Sequence, residues 1–104
     1  MILIDIRVLE RFKAAHADSC KSLESWQATA RASQWQHLLD VRQNFPHADG
    51  ITVTRGTQTV VFTVFNIKGN HYRLVTEIDY ELETVQIKTV LTHAEYDKNK
   101  WNNL

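Results

Sequence analysis

Four side chains in the second half of the chain carry functional groups that could act together on a phosphodiester. Arg73 follows the turn Lys68-Gly69-Asn70 on a strand-like run, His93 stands where the last strand-like run ends, and Tyr96 comes three residues later. Lys68 is the fourth. Cleavage of RNA by its own 2′-hydroxyl needs a base for the 2′ proton, an acid for the leaving 5′-oxygen, and a fixed cation for the extra charge on phosphorus. Histidine serves as base or acid near neutral pH. Arginine presents a planar fork that matches phosphate oxygens, and tyrosine can donate a proton or orient the phosphate. The chemistry requires no metal. The five histidines, at 16, 37, 47, 71 and 93, show no paired ligand spacing, so neither metal nor cofactor is expected.

Each of these residues also has an ordinary use. Arg73 could be solvated or paired with Glu77 or Glu95, His93 could be a plain first-turn helix residue, and Tyr96 could pack a terminal helix on the sheet. Lys68 in a glycine turn could simply be exposed, and Asp97 could be a solvated acid. Spacing alone does not choose between these uses and catalysis.

The elements that position the four residues can be read from the sequence. All three glycines and the single proline lie between Pro46 and Gly69, so the first 45 residues contain no strong breaker. Ile2 to Ile4 suits a strand, and Asp5 is expected to cap a helix whose apolar face holds Ile6, Leu9 and Phe12. A second helix begins near Asp18 or Ser19 and carries Leu23, Trp26, Gln27 and Ala30 on one side. Ser33 and Gln36 have capping-box spacing, ahead of a stripe of Trp35, Leu38, Leu39, Arg42 and Phe45. Asn44-Phe45-Pro46 ends that helix. The tryptophans at 26 and 35 are expected in the core.

From Ile51 the period shortens to two. Ile51 to Thr54, Thr59 to Phe65, Tyr72 to Tyr80 and Val85 to Leu91 read as strands. They are separated by turns at Arg55-Gly56-Thr57, Lys68-Gly69-Asn70 and Glu81-Leu82-Glu83. Alternation sets Arg73, Val75, Glu77 and Asp79 against Tyr72, Leu74, Thr76, Ile78 and Tyr80. In the last strand it sets Gln86, Lys88 and Val90 against Val85, Ile87, Thr89 and Leu91. His71 shares the parity of Arg73. Thr92 and Glu95 form a capping box that starts a short helix with His93, Tyr96 and Asp97 on neighbouring positions. Antiparallel pairing of the last two strands brings residues 70–74 to residues 89–93, and so Arg73 towards His93. The tail at 99–104 either frays or returns Trp101 to the sheet. Helices first and sheet afterwards make the class α+β, with the helices on one face of a mainly antiparallel sheet and the other face partly open.

Composition limits the partners. The chain of 104 residues has 12 basic and 12 acidic side chains, enough length for one domain over 1–104. The charge also balances by halves, six of each sign before residue 50 and six after. A chain without surplus cations is a poor sequence-independent binder of nucleic acid, so something else must deliver an RNA ligand. The lone Cys20 forbids an internal disulfide. No apolar run approaches the ~20 residues of a membrane span, and the start reads as no signal peptide. A cytoplasmic location is expected.

Phe65-Asn66-Ile67-Lys68-Gly69-Asn70-His71-Tyr72-Arg73-Leu74, together with Thr92-His93-Ala94-Glu95-Tyr96-Asp97, resembles the HigB family of type II toxin–antitoxin mRNA interferases. The likeness covers nearly the whole chain, including Phe45-Pro46-His47-Ala48-Asp49 and Ile78-Asp79-Tyr80. It implies a RelE-like fold with an RNA-binding concavity. It also implies cleavage of mRNA on translating ribosomes, and a HigA-like antitoxin whose helix-turn-helix domain supplies the only link to DNA. Carried over residue by residue, it implies a site at Lys68, Arg73, His93 and Tyr96, with Asn66, Asn70, Lys88 and Lys98 as further RNA contacts. The family is generally more basic than this chain, and it uses no invariant catalytic set. The residues alone leave a second reading open: a non-catalytic RNA- or protein-binding module on the same fold.

Overall fold

The computed structural model describes residues 1–98 and 101. Strand β1 (Ile2–Ile4) leads into helix α1 (Arg7–Ala15), a 3-10 turn (Ala17–Ser19), helix α2 (Cys20–Ala32) and helix α3 (Leu38–Asn44). Strands β2 (Asp49–Arg55), β3 (Gln58–Ile67), β4 (Tyr72–Asp79) and β5 (Thr84–Thr92) follow, and helix α4 (His93–Asp97) comes last. The class is α+β, with five strands in one mixed sheet ordered β1-β5-β4-β3-β2. Strands β2 to β5 form an antiparallel meander. Strand β1 returns parallel to β5, with Ile2 opposite Thr84. Among the described residues no helix is long and apolar enough to cross a membrane.

Each side of the sheet has its own core. Leu9, Leu23, Trp26, Ala30, Trp35 and Val41 from the helices share one cluster with Phe65, Ile67, Leu74, Val85, Ile87 and Val90. Burying each large side chain of this kind is worth about 1.5–3 kcal/mol. Both tryptophans are buried, and the Trp35 indole N–H donates to Asn44 Oδ1 at 2.9 Å. On the opposite side Phe62, Val64 and Val75 pack with Trp101. The tail residue Trp101 therefore folds back on the sheet. Its neighbours 99, 100 and 102–104 lie outside the described residues.

Several local expectations are corrected. Asp5 does not cap α1 with its side chain. It turns the chain at φ 65°, its carboxylate accepts from the Gln86 amide, and Ile6 holds the cap position. The Ser33–Gln36 box does not form, because Ser33 closes α2 by donating to the Thr29 carbonyl at 2.6 Å. Helix α3 starts instead at Leu38, where His37 Nδ1 accepts from the Asp40 N–H. Its buried face takes Val41, while Leu39 is 66% exposed. The largest correction is in β5. Val75 faces Thr89 and Thr76 faces Ile87, so Lys88 has no opposite residue and forms a bulge. A bulge reverses the facing of the residues beyond it. Val90 therefore joins Val85 and Ile87 in the helix-side core, and Leu91 lies on the open side.

The turns need left-handed backbone. Gly56 and Gly69 have φ near 60°, and the non-glycine residues Lys68 and Glu83 are at 51° and 56°. Glycine adopts this region without a steric penalty and other residues do so uncommonly. The loop at 68–71, with two such residues in succession, is the one that borders Arg73.

Candidate functional site

Strand pairing places Arg73 opposite Asn66 on β3 and opposite Leu91 on β5. All three residues therefore project from the open face near the end of the sheet where β3 turns into β4. The guanidinium folds back over the loop. Nη1 donates to the carbonyls of Asn70 and Tyr72, each at 3.2 Å, and Nη2 donates to Asn70 Oδ1 at 3.0 Å. Cζ lies 5.7 Å from the centroid of the Tyr96 ring, a cation–π distance. Among the described residues Arg73 has no carboxylate partner. Its hydrogen bonds go to neutral acceptors, so its positive charge is not cancelled by contact.

Tyr96 is held by the terminal helix. The Thr92–Glu95 capping box is complete: Thr92 Oγ1 accepts from the Glu95 N–H at 3.1 Å, and Glu95 Oε1 accepts from the Thr92 N–H at 3.0 Å. This satisfies donors that a free helix start would leave unpaired. The Thr92 N–H holds the Glu95 carboxyl below its usual range. Behind Tyr96 the Trp101 ring stacks at 5.1 Å and 11°, its indole N–H donates to the Tyr96 carbonyl, and its far side meets Phe62 edge-on. Burial raises the Tyr96 hydroxyl above its ordinary value of 10.0, the Asp49 carboxylate adds to this, and Arg73 opposes it. The phenol is therefore protonated at neutral pH and available as a donor.

His93 opens α4. Its backbone N–H donates to the His71 carbonyl at 3.0 Å, which fastens the helix start to the loop before Arg73. Its Nδ1 is 2.9 Å from Asp97 Oδ2. A neutral imidazole that donates from Nδ1 keeps Nε2 as an acceptor, the form that suits a base. The expected approach of residues 70–74 to 89–93 is present, with Tyr72 opposite Thr92. The contacts of the Arg73 guanidinium are with Asn70, Tyr72 and Tyr96, and those of the His93 imidazole are with Asp97.

The other candidates are spread more widely. Lys68 turns to the helical layer, where its ammonium is 2.9 Å from Asp18. Asn70 touches Arg73 directly, and Asn66 is half-buried opposite it. Lys88 pairs with Glu77 at 3.9 Å, about 10 Å along β5 from Leu91 at ~3.3 Å per residue. Lys98 is exposed at the end of α4 and borders a groove with Leu91, Glu95 and Trp101. Sequence reasoning missed Asp18 as a partner of the loop, and it gave Trp101 no role behind Tyr96. Neither position has a local signal, because each acts on residues that only the fold brings near. Among the described residues no three His, Cys, Asp or Glu side chains group so as to hold a metal ion.

The family model for the HigB toxin, described as the RelE-like toxic component of a toxin–antitoxin system, matches residues 19–99. That span includes Asn66, Lys68, Asn70, Arg73, Lys88, His93, Tyr96 and Lys98, and stops short of Asp18 and Trp101. No curated protein matches the chain.

Proposed function

We propose, from the premise that this chain belongs to the HigB family of toxins and so has an antitoxin as partner, that it is an endoribonuclease cutting mRNA on the ribosome. The observation that carries this reading is the Arg73 guanidinium, fixed by Asn70, laid over the Tyr96 ring and, among the described residues, without a carboxylate partner. A fixed, uncancelled fork beside a protonated phenol suits a phosphate that gains charge during reaction.

In this mechanism Arg73 grips the scissile phosphate. His93, held by Asp97, takes the 2′ proton at Nε2. The 2′-oxygen then bonds to phosphorus and the bond to the 5′-oxygen breaks. Tyr96 orients the phosphate, and the 5′-oxygen takes its proton from the Tyr96 hydroxyl or from the His93 imidazolium formed when Nε2 took the 2′ proton. The products are a 2′,3′-cyclic phosphate and a free 5′-hydroxyl. Lys68, paired with Asp18, shapes the loop at the edge of the site, while Asn66, Asn70 and Lys98 border the RNA path. Lys88 serves the RNA only at a distance. The ribosome presents the message, which answers the lack of net positive charge. The antitoxin is HigA-like, with a helix-turn-helix domain that carries any contact with DNA, and the toxin works in the cytoplasm.

The test is a map of mRNA 5′ ends after brief expression. The wild type produces new ends within ribosome-bound messages and arrests growth. Arg73→Ala and His93→Ala produce none and permit growth, with circular dichroism showing a retained fold. Unchanged message ends with the wild type would instead support a non-catalytic binding module.

A further inference from the structure

We propose that Asp18 is a positioning residue for Arg73, an inference that rests on the reading of Arg73 as the phosphate-binding cation. Asp18 belongs to the 3-10 turn between α1 and α2, in the helical layer. Its carboxylate ties both flanks of the β3–β4 loop. Oδ2 accepts from the Lys68 ammonium at 2.9 Å, and Oδ1 accepts from the Tyr72 hydroxyl at 2.7 Å.

Between these anchors the loop takes a shape that it would not hold unaided. Lys68 and Gly69 are both left-handed, at φ 51° and 61°, and a lysine there is disfavoured. Within the loop the Lys68 carbonyl accepts from the His71 N–H at 3.2 Å and lies 2.9 Å from His71 Nδ1. The same four residues then make two outward contacts. Asn70 holds the Arg73 guanidinium through its carbonyl and Oδ1, and the His71 carbonyl receives the His93 N–H. The line runs from Asp18 to Lys68 and Tyr72, along the loop backbone to Asn70, and from the Asn70 and Tyr72 oxygens to Arg73.

Geometry separates this role from a purely structural one. The Lys68 and Asp18 side chains are 40% and 45% exposed, and exposed pairs contribute little to global stability. The Tyr72 ring is seated independently, edge-on to Phe12 at 5.1 Å. Loss of the carboxylate should therefore leave the fold and disturb the guanidinium. Lys68, on this account, acts through the loop rather than on the phosphate.

The experiment uses the full chain and two readouts. The first is the side-chain Nε–H signal of Arg73 in nitrogen-15 NMR spectra, assigned with Arg73→Lys. Asp18→Ala should move that signal and the Asn70 amide while leaving the Lys88 amide in place. Tyr72→Phe, which removes only the hydroxyl, carries the same expectation should Asp18→Ala fold poorly. An unmoved Arg73 signal in a folded variant overturns the inference. The second readout is a double-mutant cycle on RNA cleavage. Asp18→Ala should slow cleavage roughly tenfold to a hundredfold in the wild-type background and at most about twofold in the Arg73→Ala background. Equal losses in both backgrounds overturn it as well. A wild type that cleaves no RNA defeats the proposed function, and the NMR readout then still decides the placement of Arg73.

Discussion

The open face of the sheet has two ends built from the same strands, and each end holds a cation in a different way. At one end Arg73 is gripped by neutral oxygens and lies over Tyr96. At the other, Lys88 sits 3.9 Å from Glu77 in an open cavity of about 660 Å³ bordered also by Asp79 and Glu81. Among the described residues the first end leaves its cation without a carboxylate contact, and the second pairs its cation among further acids. The floors differ too. Under the Arg73 end an aromatic stack runs from Tyr96 through Trp101 to the fully buried Phe62, whereas Val60 and Ile4 at the Lys88 end are only partly covered.

The comparison can be broken in order of expected effect. Phe62→Ala removes the inner end of the aromatic stack that backs Tyr96 through Trp101 and should lower stability by about 3–5 kcal/mol, read as a urea midpoint. Ile4→Ala at the other end should cost less than about 1.5 kcal/mol because the side chain is already 38% exposed. Arg73→Ala should slow cleavage roughly 10²–10³-fold, and His93→Ala by a similar factor, measured on ribosome-bound reporter message. Lys88→Ala should change that rate by less than about threefold, since the cation is already paired with Glu77 and lies about 10 Å along β5 from Leu91. A large loss with Lys88→Ala would show that both ends serve the ligand.

Smaller effects sharpen the contrast. Thr92→Ala removes half of the capping box beneath Tyr96 and should destabilise by about 1 kcal/mol, again by urea titration. The pH dependence of stability tests the Tyr96 environment. Its folded pKa lies above the ordinary 10.0, so between the two values the folded chain keeps a proton that the unfolded chain has lost. This contribution is intact below the unfolded pKa and is lost as pH rises through the folded one. Tyr96→Phe should therefore lose less stability than the wild type as pH rises above about 10. Equal slopes would mean that the phenol is solvated.

Much of the frame follows from local rules. The four meander strands, the turns at Gly56 and Gly69, the helix stop before Pro46 and the Thr92–Glu95 box stand where period and turn chemistry put them. The departures have both local and long-range causes. The Ser33 box failed because the Ser33 hydroxyl found the Thr29 carbonyl behind it. Lys68 read as a free cation because Asp18 is remote in sequence and adjacent only after folding. The parity of Leu91 and Val90 was reversed because a bulge is a property of a pair of strands, and one strand read alone does not reveal it.

The amino-acid order alone determined the class, the places of the meander strands to within about two residues and the pool of side chains from which a site could be drawn, since these depend on interactions within a few residues of each other. Tertiary structure decided which of those side chains meet. It assigned Asp18 to Lys68 and Tyr72, Glu77 to Lys88 and Asn70 to Arg73, and it set Trp101 behind Tyr96. The physical reason is competition for partners: a cation near several possible oxygens is neutralised by whichever carboxylate the packing brings close, and packing is settled by contacts made across the whole sheet.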